Sequence, residues 1–172
     1  MKDFAKDLVK DIVIAAVIAG AILFFIRPTI VKQTSMQNTM NPNDYLIMYK
    51  RAYIKKMPSR GDIIIFQSNM KDDNGKTKLL IKRAIGLPGD DIKISDGKVY
   101  INGKIYEESY LKDGTTPGEI DTKVPKDKLF VMGDNRIASL DSRYPEVGFV
   151  SKKALKGKVV IRLFPFNKIQ RF

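Results

Sequence analysis

The chain contains no histidine and no cysteine among its 172 residues, so imidazole bases, thiolate nucleophiles, disulfides and His/Cys metal sites are all excluded. Hydrolytic chemistry has to come from Ser, Thr, Lys, Asp, Glu or Tyr. Three segments carry such residues in suggestive spacing. The first is "TSMQNTM", Thr34–Met40, whose Ser35 follows by nine residues the end of the apolar run "IVIAAVIAGAILFFI", Ile12–Ile26. The second is "LLIKRAIG", with Lys82 inside an apolar strand pattern. The third is "GDNRIASLDSR", Gly133–Arg143, which holds Asp134, Arg136, Ser139, Asp141 and Arg143 directly after the apolar run "LFVM".

Lys82 has two readings. Alternation places it on one strand face with Leu80 and Ala84, with Ile81, Arg83 and Ile85 on the other. At an exposed strand edge it is an ordinary solvated lysine. Against a dry apolar wall it loses charge, and a pKa drawn from about 10.4 toward 7 or 8 makes it a general base for a serine, at a cost of about 4 kcal/mol. The third segment is equally double: a solvated turn with weak surface ion pairs, or a hydrogen-bonded support under a site.

Taken together and in order, "SMQNT", "KRAIGLPGD" and "GDNRIASLDSR" resemble the three boxes of the bacterial type I signal peptidases, membrane-anchored Ser/Lys endopeptidases. The resemblance runs from Pro28 to about Pro165. It implies Ser35 as nucleophile, Lys82 as general base, Ser139 as holder of the lysine amine, and Asp141 with Arg143 as a brace, with Asp134 and Arg136 among the supporting residues. It implies Met36 as a wall of the substrate pocket and small side chains at the first and third positions before the cut. The substrates implied are secretory preproteins, with no metal or organic cofactor. Two positions depart from the family pattern. Asn38 stands where relatives carry proline, which leaves the bend after Ser35 less rigidly preset. Gln33 stands where relatives have Gly or Ser near the oxyanion hole; the Ser35 N–H supplies one oxyanion donor and the Gln33 amide is the candidate for the second. Val31, Met36, Met40, Leu80 and Ile81 flank the two reactive residues and are candidate pocket walls, with plain β-core packing as the competing reading.

The elements that must position these groups follow from hydrophobic patterning. Residues 12–31 are expected to form a transmembrane anchor after a short N-terminal segment, 1–11. The apolar run itself is shorter than the ~20 residues a bilayer needs, and Lys10 and Arg27 extend it by snorkelling. No small-x-small cleavage site follows at the right distance, and the run is apolar all round, which argues against a cleaved leader and against a core helix. Lys2, Lys6 and Lys10 against Arg27 and Lys32 place the N-terminus in the cytoplasm by a small margin. The expectation is a single-pass protein of the cell membrane with its catalytic domain on the extracytoplasmic side.

Residues 32–172 read as a mostly β, compact antiparallel body. The expected strands are 45–49, 62–66, 79–86, 91–94, 98–101, 129–132 and 158–164, with hairpin turns at Asp96-Gly97 and Asn102-Gly103. Residues 107–127 are expected as a polar surface excursion and 71–76 as an exposed loop. The net charge of +12 belongs to the part after the apolar run and is compatible with nucleic acid, anionic lipid headgroups or good solubility alone; membrane lipid is the expected partner and nucleic acid is not. The oligomeric state is left open by the sequence. The rival reading of function is a catalytically silent relative that serves as a binding partner for exported proteins.

Overall fold

The computed structural model describes residues 2–111 and 114–172; Met1 of the N-terminal segment and positions 112 and 113 of the polar excursion lie outside the described residues. Helix α1 covers Lys2–Phe25. Its part from Phe4 to Phe25 is 22 residues long, and an 18-residue stretch of it has mean hydropathy 2.4 with no residue buried. At ~1.5 Å per residue that length is about 33 Å, enough for a ~30 Å hydrocarbon layer. The helix ends at Phe25 rather than near residue 31. Pro28 cannot continue a helix, and Ile26–Ile30 instead form strand β1.

The other strands are β2 (Tyr45–Tyr49), β3 (Ile63–Lys71), β4 (Thr77–Gly86), β5 (Asp91–Ser95), β6 (Lys98–Ile101), β7 (Lys104–Ile105), β8 (Ile120–Lys123), β9 (Lys128–Met132), β10 (Val150–Ser151), β11 (Leu155–Phe164) and β12 (Gln170–Arg171). They form two sheets. The larger runs β1-β2-β11-β3-β4-β9-β10, with β12 beside β11; the smaller runs β7-β6-β5-β8. Every pairing is antiparallel. The β5–β6 and β6–β7 reversals use left-handed backbone at Asp96, Gly97, Asn102 and Gly103, the paired positive φ that a two-residue hairpin turn demands.

Most of the described residues between β7 and β9 are exposed, as expected, but the segment is tied to the body at several points. Part of it is β8, whose Ile120–Lys123 pairs with Asp91–Ile94 of β5. Upstream, Tyr110 packs under the Arg83 guanidinium at 3.9 Å from the ring centre, and Glu108 is ion-paired with buried Arg136. Of the expected loop 71–76, Lys71 is the last residue of β3 and 72–76 form the loop, closed by the Asp72 carboxylate accepting from the Asn74 and Lys76 amides.

Three apolar clusters fill the body. One holds Val31, Met36, Met40, Met48, Ile63 and Ile65 among others, around the segment that carries Ser35. A second contains Leu80, Ile64, Phe66 and Val131, on the strand face that also carries Lys82. The third joins the two sheets through Ile85, Ile92, Phe130 and Val124. Gly86 sits at that junction. A Cβ there would come within 2.8 Å of Val124, 2.9 Å of Ile92 and 2.9 Å of Phe130, so the glycine of "KRAIG" is a packing requirement. The next residues, Pro88-Gly89-Asp90, make the turn between sheets: Gly89 is left-handed at φ 88°, and the Asp90 carboxylate accepts the Leu87 amide at 2.6 Å and pairs with Arg60 at 3.0 Å.

Candidate active site

Ser35 lies on a turn between β1 and β2, and Lys82 lies in the middle of β4. Gly133, just after β9, borders the segments that carry both. Strands β4 and β9 pair Arg83 with Met132 and Ala84 with Val131, so one step further the register sets Lys82 opposite Gly133. Residues two apart share a face, so the vacant Cβ direction of Gly133 points to the same side as Lys82. A Cβ on Gly133 would overlap the Ser35 carbonyl oxygen and the Ser139 hydroxyl, and would lie 2.6 Å from Ser139 Cβ. Only glycine leaves room for both serine residues beside the lysine strand.

The turn that carries Ser35 is clamped from several sides. The Asn135 amide donates to the Ser35 carbonyl at 3.0 Å, and Asn135 Nδ2 donates to the Thr34 carbonyl at 3.3 Å and to Gln37 Oε1 at 3.4 Å. Thr39 Oγ1 donates to Asp134 Oδ2 at 2.5 Å; Arg83 donates to both Asp134 oxygens, at 2.9 Å and 2.5 Å. Arg162 reaches across from β11 to the Thr39 carbonyl at 2.7 Å and to Asp44 at 3.0 Å. Asn38 takes φ 87°. Proline is locked near −65°, so this left-handed bend is closed to proline, whereas asparagine tolerates it well.

The Gly133–Arg143 loop is held by its own charges. Arg143 grips Asp141 in two parallel bonds, Nε to Oδ1 at 2.9 Å and Nη2 to Oδ2 at 3.0 Å. Its remaining donors go to the Arg136, Ser139 and Pro117 carbonyls. Asp141 Oδ2 and Ser139 Oγ both accept the Gly133 amide, at 3.0 and 3.1 Å. Arg136 caps the Gly133 carbonyl at 3.1 Å and is itself anchored by Glu108 and Thr116. Such charge-assisted, bidentate bonding fixes a loop in a way that surface ion pairs do not.

Lys82 is only 1% exposed. Burial draws its ammonium from 10.5 to about 8; Asp141 and Asp134 oppose that fall, and Arg143 adds to it. At pH 7.5 a lysine of that pKa is neutral in about a quarter of molecules, against ~0.1% for an ordinary one. Ser35 is 7% exposed and opens onto a groove of about 640 Å³. Val31, Gln33, Met36 and Ile81 line the same groove, with Met48 and Ile65 beneath. Lys82 and Ser139 are not among the residues that line it. Met40 is fully enclosed in the first core cluster, and Leu80 packs with Phe66 and Val131 in the second; neither reaches the groove, because each points to a side of its element that the core already fills. Gly133, Asn135, Arg83 and Arg162 carry parts of the site that residue-type reasoning had not assigned. Arg162 had one legible signal, a charge in the middle of the apolar strand "KVVIRLF".

An antiparallel β domain behind an exposed apolar helix, with Ser35 opening onto a groove and Lys82 buried in the same body, fits the architecture of a membrane-anchored serine peptidase. The model of the family "Signal peptidase, peptidase S26" matches residues 5–164, and the chain belongs to that family of serine endopeptidases. It is 38% identical over 158 residues to signal peptidase I of Bacillus licheniformis, covering 86% of this chain and 82% of that one. It is 37% identical over 154 residues to the probable signal peptidase I-2 of Synechocystis sp., covering 87% and 68%. Among solved structures, a crystal structure of a signal peptidase I from Enterococcus faecalis matches with a TM-score of 0.51 and 33% identity, over 60% of this chain and 97% of that one.

Proposed function

We propose that this protein removes N-terminal signal peptides from exported preproteins at the membrane surface, with Ser35 and Lys82 as its catalytic dyad. The observation that carries the reading is the desolvated Lys82, set by strand register opposite Gly133, which also seats Ser35 and Ser139. The neutral Lys82 amine takes the Ser35 hydroxyl proton as Oγ adds to the scissile carbonyl. The tetrahedral intermediate collapses to an ester on Ser35. Its C–N bond breaks, and the departing amine of the mature chain takes the proton back from the Lys82 ammonium. Lys82 then removes a proton from water, the hydroxide attacks the ester, and Ser35 leaves with the proton. The Ser35 N–H supplies one oxyanion donor, and Gln33, exposed on the groove wall, is the candidate for a second. Ser139 orients the amine, and the Asp141–Arg143 clamp holds Ser139 in place.

The substrate lies in the groove as an extended strand. Strand β1 ends the sheet, and among the described residues β4 has no partner on the β9 side before Arg83. A peptide between these edges gains backbone hydrogen bonds by strand addition, and its alternate side chains meet the walls. Val31, Met36 and Ile81 fill that wall space, which leaves room only for small residues before the cut. Helix α1 crosses the membrane once, with residues 1–11 in the cytoplasm and residues 32–172, the catalytic domain, outside. The body is held close to the helix end: the Lys50 amine donates to the Leu23 carbonyl at 2.6 Å, and Arg51 stacks 4.7 Å from the Phe24 ring centre. The test is incubation of the full chain in detergent with a preprotein and mapping of the new N-terminus by mass spectrometry. A single cut after a small residue, lost in Ser35→Ala, is expected; the same cut made by Ser35→Ala overturns the reading.

A further inference from the structure

A second cleft, of about 660 Å³, shares no lining residue with the substrate groove. Its volume falls in the ~300–1,000 Å³ range of small-molecule sites. Lys50, Lys126, Lys128, Lys152 and Lys153 stand around it. Asp127 is the one acidic residue among its described lining residues, and the nearby Asp62 carboxylate is already taken by Lys158 at 2.7 Å and by the Tyr53 hydroxyl at 3.0 Å. The lysines therefore face the cleft with little compensation. Its remaining walls are apolar: the buried Tyr53, the half-buried Leu155, and Ile54, which is 56% exposed.

The position of the cleft identifies what would fill it. Lys50 belongs to both the cleft and the helix end: its backbone amide donates to the Phe25 carbonyl at 2.8 Å, and its side chain reaches Leu23. Strand register sets Ile26 and Lys158 on either side of Tyr49, so the Leu155–Gly157 wall also lies at the end of the sheet where the chain leaves the apolar helix. When α1 spans a bilayer, this end lies at the level of the lipid phosphates. We infer that the cleft holds the phosphate headgroup of an anionic phospholipid, the lysines taking the phosphodiester and the Tyr53–Ile54–Leu155 wall taking the apolar part next to it. A free inorganic anion would satisfy the lysines and leave that wall unused. The lipid becomes a second tether beside α1 and restricts how the body swings about the helix end. The inference rests on α1 crossing the membrane and is independent of the chemistry at Ser35.

The test is thermal unfolding of the full chain in a zwitterionic detergent, titrated separately with short-chain phosphatidylglycerol, short-chain phosphatidylcholine and inorganic phosphate. Phosphatidylglycerol is expected to raise Tm saturably, while the other two leave it unchanged. In the combined variant Lys126→Gln, Lys128→Gln, Lys152→Gln and Lys153→Gln the half-saturating phosphatidylglycerol concentration should rise at least about tenfold, and the corresponding Lys→Arg set should retain the native value. Peptide cleavage by the Gln set in lipid-free detergent, equal to that of the native chain, shows that it has folded; should it not fold, the pair Lys152→Gln and Lys153→Gln must still weaken the response several-fold, by about five or more. An equal Tm rise with phosphatidylcholine, a rise with phosphate alone, or an undiminished response in the folded Gln variant each overturns the inference. A native chain that responds to phosphatidylglycerol but cuts no preprotein would instead refute the dyad and leave the lipid site standing.

Discussion

Replacing Lys82 with methionine, similar in length and lacking the charge, should stabilise the protein at neutral pH, and by an amount that depends on pH in one direction. The native lysine falls from 10.5 to about 8 on folding because its surroundings are dry. At about 1.4 kcal/mol per pH unit, that depression costs the folded state about 3 kcal/mol whenever the unfolded lysine is protonated. The sign follows from proton counting. Between pH 8 and 10.5 the unfolded chain binds a proton at this lysine that the folded chain does not, so native stability rises with pH across that window. Below about pH 8 both states are protonated and the full penalty applies; above about 10.5 neither is, and the penalty disappears. The difference in unfolding free energy between Lys82→Met and the native chain should therefore be about 3 kcal/mol near pH 7 and shrink to the pH-independent packing difference by about pH 10.5. Urea unfolding in detergent, followed by far-UV circular dichroism at a series of pH values, measures it. A difference that stays constant from about pH 7 to pH 10.5 would show that Lys82 keeps an ordinary lysine pKa, and the base assignment would fall with it.

Other perturbations have equally definite outcomes. Gly133→Ala should remove nearly all peptidase activity and cost about 1–3 kcal/mol in urea unfolding, because the new methyl displaces the Ser35 backbone and the Ser139 side chain; native-like activity would mean that the juxtaposition is unimportant. Asn38→Pro should destabilise by about 3 kcal/mol, since φ 87° is closed to proline, whereas Asn38→Gly should be close to neutral. Arg143→Gln should move the acid limb of the pH–rate profile upward, because a cation that depresses Lys82 is removed and Asp141, which raises it, is left unpaired; a downward move contradicts the electrostatic account. Gln33→Ala should lower turnover about tenfold or more with KM little changed if its amide meets the oxyanion, and an unchanged rate removes it from the mechanism.

The sequence marked Lys82 as a residue that must either snorkel or lose its charge, and in the fold it is buried. A lysine amid "LLIKRAIG" in a chain without histidine has few roles, and burial was the only physical route to a base. The strands at 45–49, 79–86 and 98–101 were equally legible from β-branched runs between turn residues, and Asp96-Gly97 and Asn102-Gly103 adopt the backbone that their types favour. Strand β1 was hidden because Ile26 and the β-branched residues around Pro28 continue the apolar character of the helix; the break is conformational, while hydropathy is nearly continuous. Strand β8 was hidden for the opposite reason, since "IDTK" is polar and is held by its pairing with β5. Sequence proximity also misplaced Met40 and Leu80, which neighbour the reactive residues along the chain yet face the core. Gly133 was visible as a residue of the third box, but its function depends on what occupies the space its side chain would take, and that is fixed only by the packing of three distant segments.

The most direct test of the dyad is the pH dependence of kcat/KM for a preprotein-derived peptide, since that quantity reports the free enzyme's base. With Lys82 as base, the rate should rise with pH and level off above an acid limb at about 8, and should fall to background in Lys82→Ala. A rate that is flat from pH 6 to pH 10, or a Lys82→Ala variant that cuts at the native rate, would contradict it.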